Sequence, residues 1–197
     1  MFSEAEYIDE TFLELDFQQK ELRSVNFYNC TFTNCDFSDT VFKGCKFSDC
    51  TFEGCNLNMI KVSKCEFADC SFTDTKLICV NWAEAKWPRI ARQGLLRFEG
   101  CVLSHSTFIG LSLQKSVLKK CIARNVDFRE ADLTEADLSQ TDFSESLFGD
   151  TNLTGADLSN AVHYAIDPGN NRIRKAKFSM PEAISLLYCM DIQLVED

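Results

Sequence analysis

Every fifth residue from Phe2 to Trp87 is large and apolar. The series runs Phe2, Tyr7, Phe12, Phe17, Leu22, Phe27, Phe32, Phe37, Phe42, Phe47, Phe52, Leu57, Val62, Phe67, Phe72, Leu77, Trp82 and Trp87 without a polar interruption. An α-helix repeats its buried face at about 3.6 residues and a strand at about 2, so neither element alone produces a beat of five. A solenoid does, because each short unit buries its apolar side only against the units before and after it.

With the periodic residue taken as the centre of each unit, the position two residues earlier is small or apolar: Cys30, Cys35, Thr40, Cys45, Cys50, Cys55, Ile60, Cys65, Cys70, Thr75, Val80 and Ala85. The other three positions are mostly Asn, Asp, Ser, Thr, Lys and Glu, which places two residues of each unit inside and three in water. Ala131-Asp132-Leu133-Thr134-Glu135 states this code in full. The series resembles the pentapeptide repeat, usually written as a small residue, Asn or Asp, Leu or Phe, then two polar residues. That resemblance implies an all-β fold, a right-handed quadrilateral β-helix in which four pentapeptides complete a turn. Phe32, Phe52 and Phe72 would then stack, as would Phe27, Phe47, Phe67 and Trp87, with Cys30, Cys50 and Cys70 as a thiol column. Turns would lie about 4.8 Å apart, with offset rings contributing beyond their buried area.

Nine of the 11 cysteines (Cys30, Cys35, Cys45, Cys50, Cys55, Cys65, Cys70, Cys101 and Cys121) occupy the small inward position, interchangeably with Ala, Ser, Thr and Val. The interchange favours reduced thiols packed as small hydrophobes over a disulfide framework. Zinc is disfavoured, because the Cys-x4-Cys spacing repeats the beat of the fold and no histidine lies nearby. No metal or cofactor is expected. Cys79, two residues after its centre, and Cys189 are the thiols expected outside.

The frame breaks once. Trp87 to Phe98 spans eleven residues, one more than two units, and no acceptable centre stands at position 92 or 93. Pro88 and Gly94 mark a turn, and Arg89, Arg92 and Arg97 make it the most basic patch of the repeat. It reads as a tolerated surface insertion or as a partner-contacting loop on a rigid scaffold. The beat resumes at Phe98 and continues through Leu103, Phe108, Leu113, Leu118, Ala123, Phe128, Leu133, Leu138, Phe143, Phe148, Leu153 and Leu158. Just under eight turns follow, a column roughly 35 to 40 Å long.

Residues 1–26 keep the beat with imperfect small positions such as Glu10 and Lys20, as a polar terminal cap would. The repeat is expected to fill 1–161, and 162–197 to form a C-terminal module. There Ser179-Met180-Pro181-Glu182 has the form of a capping box with Pro in the first turn, opening a helix at about 180–190. Ile192, Leu194 and Val195 alternate with polar residues as a short strand. The module would cover the end of the solenoid, and its surplus of apolar surface suits pairing of two chains. Ile184, Leu187, Tyr188, Ile192 and Leu194 are the candidate dimer interface.

The chain carries 20 basic and 30 acidic residues, net −10. This disfavours direct nucleic-acid binding, which needs a basic stripe, and suits a basic partner or plain solubility. Acid concentrates late, with nine carboxylates between Arg124 and Asn160. Many precede a centre directly, where a short side chain can bond its own turn. The candidate partner-contacting acidic face is Asp127, Glu130, Asp132, Glu135, Asp137, Asp142 and Glu145. No catalytic constellation is present: His105 and His163 have no nucleophile or carboxylate arranged around them, and a filled aromatic core leaves no ligand pocket. The chain is not expected to be an enzyme. It has no apolar run long enough to span a membrane and an acidic N-terminus unlike a signal peptide, so a cytoplasmic location is expected.

Outside the beat, Val80-Asn81-Trp82 with Trp87-Pro88, then Phe98-Glu99 with Cys101 and Leu103, resemble the topoisomerase-protecting subgroup of pentapeptide repeat proteins. So do Tyr164-Ala165-Ile166-Asp167, Asn171, Ile173, Ala176, Phe178-Ser179 and Pro181-Glu182-Ala183 with Leu186-Leu187. The subgroup includes quinolone-resistance, microcin B17 immunity and albicidin-resistance members, the last being the most similar. The chain departs from the quinolone-resistance members in having one insertion, at 88–97, where they carry two longer loops. The resemblance implies a DNA-like rod that dimerises through its C-terminal module and binds DNA gyrase or topoisomerase IV, for antibiotic resistance or self-immunity. A pair of chains would carry about −20 over roughly 80 Å, near one charge per 4 Å against one per about 1.7 Å in duplex DNA, so mimicry must rest on clustered charge. The alternative is a passive solenoid scaffold for an unrelated protein partner.

Overall fold

The computed structural model describes residue 2, residues 4–87 and residues 96–195. The chain winds into a parallel β-solenoid of about eight turns with one short C-terminal helix. Successive turns pair in parallel at an offset of twenty residues: Phe12 with Phe32, Phe32 with Phe52 and Phe52 with Phe72 on one side. Tyr7, Phe27, Phe47 and Phe67 align in the same way on another. Each side of the square holds one pentapeptide, so a strand such as Thr51–Glu53 reaches only 3 residues before the corner. The ladder spacing becomes the ring spacing. Phe32 and Phe52 stack at 4.7 Å and 8°, Phe52 and Phe72 at 4.9 Å and 8°, and Phe47 and Phe67 at 5.1 Å and 10°.

The inward position two residues before each centre does more than fit. At most of these positions a thiol or hydroxyl donates to the main-chain carbonyl of a centre in the turn before, 23 residues earlier for Cys50 to Phe27 at 3.5 Å, Cys55 to Phe32 at 3.3 Å and Thr40 to Phe17 at 2.7 Å. Thr141 and Thr151 repeat the contact to Leu118 and Phe128 at 2.7 and 2.9 Å. A buried carbonyl has a second lone pair to satisfy, and a small residue with a donor at its tip reaches it. All nine inward cysteines are free and buried, while Cys79 is exposed and Cys189 half-buried. Burial pushes the Cys50 thiol up to about 11. Glu10 and Lys20, which break the small inward pattern in the first turn, are exposed, and Lys20 Nζ donates to Asp16 O at 3.0 Å.

The corners have a uniform geometry. The residue two after most centres takes the left-handed conformation, as in Asp39 at φ 56°, Met59 at 58°, Lys64 at 58° and Glu135 at 55°, whereas Trp82–Glu84 forms a 3-10 turn instead. At many corners the next residue donates back to the centre carbonyl, as Thr40 does to Phe37 at 3.0 Å and Ala136 to Leu133 at 3.0 Å. A positive φ at the third residue with this bond is a type II turn. The left-handed conformation costs a non-glycine residue roughly 1–2 kcal/mol. It is offset where the same residue donates to the following turn, as Asp39 does to Asn58 and Glu135 to Thr154, both at 2.9 Å.

The insertion enlarges one turn. Phe72 pairs with Phe98 and Lys76 with Val102, so the offset rises to 26 residues before returning to twenty at Phe98 and Leu118. Trp87 to Phe98 is thus one unit plus six extra residues, not two units plus one. Residues 88–95, with Arg89 and Arg92, lie outside the described residues. Trp87 does not join the column of Phe67. It is only partly buried, its indole N–H donates to Trp82 O at 2.9 Å, and Phe67 meets Trp82 edge-on at 5.2 Å.

The ladder runs past 161. Asn152 bridges Arg172, and Asp157–Leu158 pairs with Lys177–Phe178, keeping the offset of twenty. The beat slips between them: His163, at the expected centre, is exposed, and Tyr164 and Ile166 are buried instead. The tail then forms a 3-10 turn at Glu182–Ile184 and an α-helix at Ser185–Tyr188, shorter than the expected helix. The expected capping box does not form. Ser179 Oγ accepts from Asn160 N at 3.0 Å and Glu182 Oε1 accepts from His163 N, so both side chains staple the tail to the last turn. Ile192, Leu194 and Val195 form no strand. The Ile192 N–H is used locally, on Leu187 O at 3.3 Å.

Phe52 is 1% exposed at the middle of its column. Phe52→Ala should cost about 3–5 kcal/mol, measured as a shift of the urea midpoint at unchanged slope.

Candidate partner-binding surface

The four-sided winding decides where the late carboxylates go. Successive centres occupy successive sides, so Asp127, Asp132, Asp137 and Asp142, each directly before a centre, stand on four different sides. Their ladder partners are Thr107, Ser112, Val117 and Ile122 respectively. Glu130, Glu135 and Glu145 sit at left-handed corners, at φ 61°, 55° and 59°. The expected single acidic face is therefore a band running around the rod, because a stack along one side requires a spacing of twenty and not five.

Turn chemistry engages several of these groups. Asp132 Oδ1 accepts from Thr134 N at 3.0 Å and Oγ1 at 2.5 Å, and Asp137 and Asp142 accept likewise from Ser139 and Ser144. Some are also ion-paired: Asp127 with Arg129 at 2.7 Å, Asp142 with Arg124 at 2.6 Å, and Glu135 with Lys115 at 3.6 Å, while His163 Nδ1 lies within hydrogen-bond distance of Asp142 Oδ1 at 3.0 Å. Glu130, Asp132, Asp137 and Glu145 have no cation within ion-pair distance among the described residues. Asp132 accepts from Gln114 at 2.6 Å and Glu145 from Asn125 at 2.9 Å, both neutral donors. These four carry the unneutralised charge of the predicted set.

The paired groups are shifted accordingly. The Arg129 hydrogen bond holds Asp127 below the usual carboxylate range. Desolvation raises Asp142, but the hydrogen bonds from Ser144, His163 and Arg124 together outweigh it and leave this carboxyl well below its ordinary value. Asp157 is held at about 2, by Ser159 first and then Lys177 against desolvation.

Arg97 is exposed, but it lies in the strand Leu96–Glu99 between Ser71 and Val117, in the wall of the solenoid. In the C-terminal module, Leu186 packs against the core together with Ile173, Ala176 and Phe178. Ile184 is half-buried, and Leu187 (39%), Tyr188 (63%), Ile192 (41%) and Leu194 (42%) are exposed. Met180, Met190 and Val195 are exposed with them.

A four-sided parallel β-solenoid with a filled core defines a class of rods whose chemistry lies on their outer walls and ends. Residues 25–96 match the model of the pentapeptide repeat region, and residues 97–134, 112–150 and 131–162 match that of the eight-copy pentapeptide repeats. The chain belongs to the pentapeptide repeat family. No curated protein matches its sequence. Among solved structures, two trypsin-treated variants of QnrB1, a plasmid-mediated fluoroquinolone resistance protein, align at 19% identity with a TM-score of 0.63. One alignment covers 97% of this chain and 99% of that chain, the other 96% and 100%. At this identity the likeness is one of fold.

Asp142 and Asp157 are depressed in the folded state, so the stability they contribute is present above the unfolded carboxylate value of about 4 and is lost as pH falls through their folded values. Thermal denaturation between pH 4 and pH 2 should show a falling Tm. Asp142→Asn should flatten that fall.

Proposed function

We propose that this chain binds DNA gyrase or topoisomerase IV in the place of DNA and shields the enzyme from a topoisomerase poison, without catalysing a reaction itself. The observation that carries this reading is the set of cation-free carboxylates, Glu130, Asp132, Asp137 and Glu145, carried around a rigid rod. Phosphates surround a duplex on all sides, so an encircling band resembles DNA more closely than a single acidic face would. The subgroup resemblance of the tail and the fold shared with a fluoroquinolone resistance protein support the same assignment. The resemblance to albicidin-resistance members makes albicidin the first poison to test.

In this reading the band docks on the basic DNA-binding surface of the enzyme, in the cytoplasm. Exposed charges are screened beyond about 10 Å at 0.1 M salt, so added salt weakens the complex. Two chains joined through Ile184, Leu187, Tyr188, Ile192 and Leu194 double the length of rod presented. A passive scaffold is the second reading, favoured by the fact that Asp132, Asp137 and Asp142 all serve their own turns.

Supercoiling by purified gyrase in the presence of albicidin, a fluoroquinolone or microcin B17 separates the two. Topoisomerase protection predicts restored supercoiling with at least one poison, and loss of that effect when Asp132, Asp137 and Glu145 are reversed to Lys in a chain with an unchanged circular dichroism spectrum. Neither protection nor inhibition at any concentration supports the scaffold. For the dimer, sedimentation should show a two-chain species that Ile184→Asp with Leu187→Asp converts to one chain.

A further inference from the structure

Met59, Cys79 and His105 occupy the same corner of three consecutive turns. Each stands two residues after its centre, and the ladder aligns the three centres: Leu57 N donates to Lys76 O at 2.7 Å and Leu77 N to Val102 O at 2.8 Å. The corner residues themselves step from turn to turn, Met59 N to Ile78 O at 2.8 Å and Cys79 N to Ser104 O at 3.0 Å. Their φ angles are 58°, 59° and 60°, so their Cα–Cβ bonds leave the wall from equivalent backbone geometry. One inter-turn spacing, about 4.8 Å, separates each from the next. Met59 is 44% exposed, and Cys79 and His105 are exposed.

Turn chemistry does not account for this choice of residues. Left-handed positions favour Asn, Asp and Gly, and most corners here carry those residues or Glu, Gln and Lys. Among the described corners Met and Cys occur once each, on adjacent turns, and a histidine follows on the next. Cys79 and His105 make no side-chain hydrogen bond or ion pair with the described residues. The neighbouring corners supply hard or neutral groups: Asp39 on the turn before, and on the turn after Asn125, already engaged with Glu145 at 2.9 Å.

We propose that this column is a binding site for a soft monovalent metal ion of the Cu(I) class, with the Cys79 thiolate as the central ligand and the Met59 thioether and His105 imidazole flanking it. Thiolate and thioether sulfur select Cu(I), and imidazole accommodates it. Metal–sulfur and metal–nitrogen bonds of about 2.0–2.3 Å hold two donors of one ion within roughly 4 Å of each other, which is close to one turn for Cys79 and either neighbour, while Met59 and His105 start about two turns apart and must both lean toward Cys79. The three rotatable bonds of Met59 take up the difference. On binding, the S–H bond of Cys79 breaks, the S–Cu bond forms and the proton passes to solvent, with no change of oxidation state. The inward thiols do not compete, being buried and bonded to carbonyls. The site stands independently of the proposed function.

The test is an anaerobic titration of the reduced, full-length chain with Cu(I) against a chromogenic Cu(I) chelator. One ion per chain should be retained, with release of about one proton. Cys79→Ser should weaken binding at least about 100-fold, and Met59→Leu and His105→Gln about 10-fold each, with circular dichroism spectra unchanged. Failure to retain an ion would overturn the site. So would retention unaffected by both Met59→Leu and His105→Gln, which would reduce it to a lone surface thiol, or one ion shared by two chains.

Discussion

From the first turn to the turn of Thr151, each turn of this rod is fastened to the one before it by a hydrogen bond from an inward side chain to a centre carbonyl, laid alongside the parallel ladder. That contact favours small residues with a donor at the tip, although Ile60, Leu96 and Leu111 also stand at the inward position. It also draws the turns together at the ladder spacing, which is the separation at which offset aromatic rings stack. The interior is thus filled by two coupled columns, one of rings and one of thiols or hydroxyls, and the only positions free to vary lie outside.

What varies outside is set by the same winding. A spacing of five carries a feature around the rod, while a spacing of twenty carries it along one side. The late carboxylates follow the first rule and form a band, three of the seven neutralised by Arg124, Arg129 and Lys115. Met59, Cys79 and His105 follow the second, interrupted only by the enlarged turn. A partner that encircles the rod meets the band, and a small ion meets the column.

The centres were legible because a buried ring cannot be exchanged for a polar residue without losing a column contact. The same logic exposed the thiols: residues that alternate with Ala, Ser and Thr at one position are there for size. Other features were hidden for physical reasons. The slip from His163 to Tyr164 is a local change of phase that a strict count cannot follow, so the last turn was lost although Phe178 still pairs with Leu158. Ser179 and Glu182 have capping-box spacing, yet they bond the neighbouring turn, because a tail pressed against a solenoid end finds unpaired amides there first. The left-handed corners left a trace in their Asn, Asp and Gly content. The Met59, Cys79 and His105 column has no local motif, since it exists only once the turns are stacked.

The central claim is that the turns form one cooperative stack coupled through carbonyls of the centre residues. Hydrogen–deuterium exchange of the native chain tests it most directly. The interior turns between Leu22 and Phe148 should exchange slowest and together, at rates set by unfolding of the whole rod, with the first turn and the C-terminal module exchanging sooner. Interior turns that exchange independently of one another, each at its own rate, would contradict it.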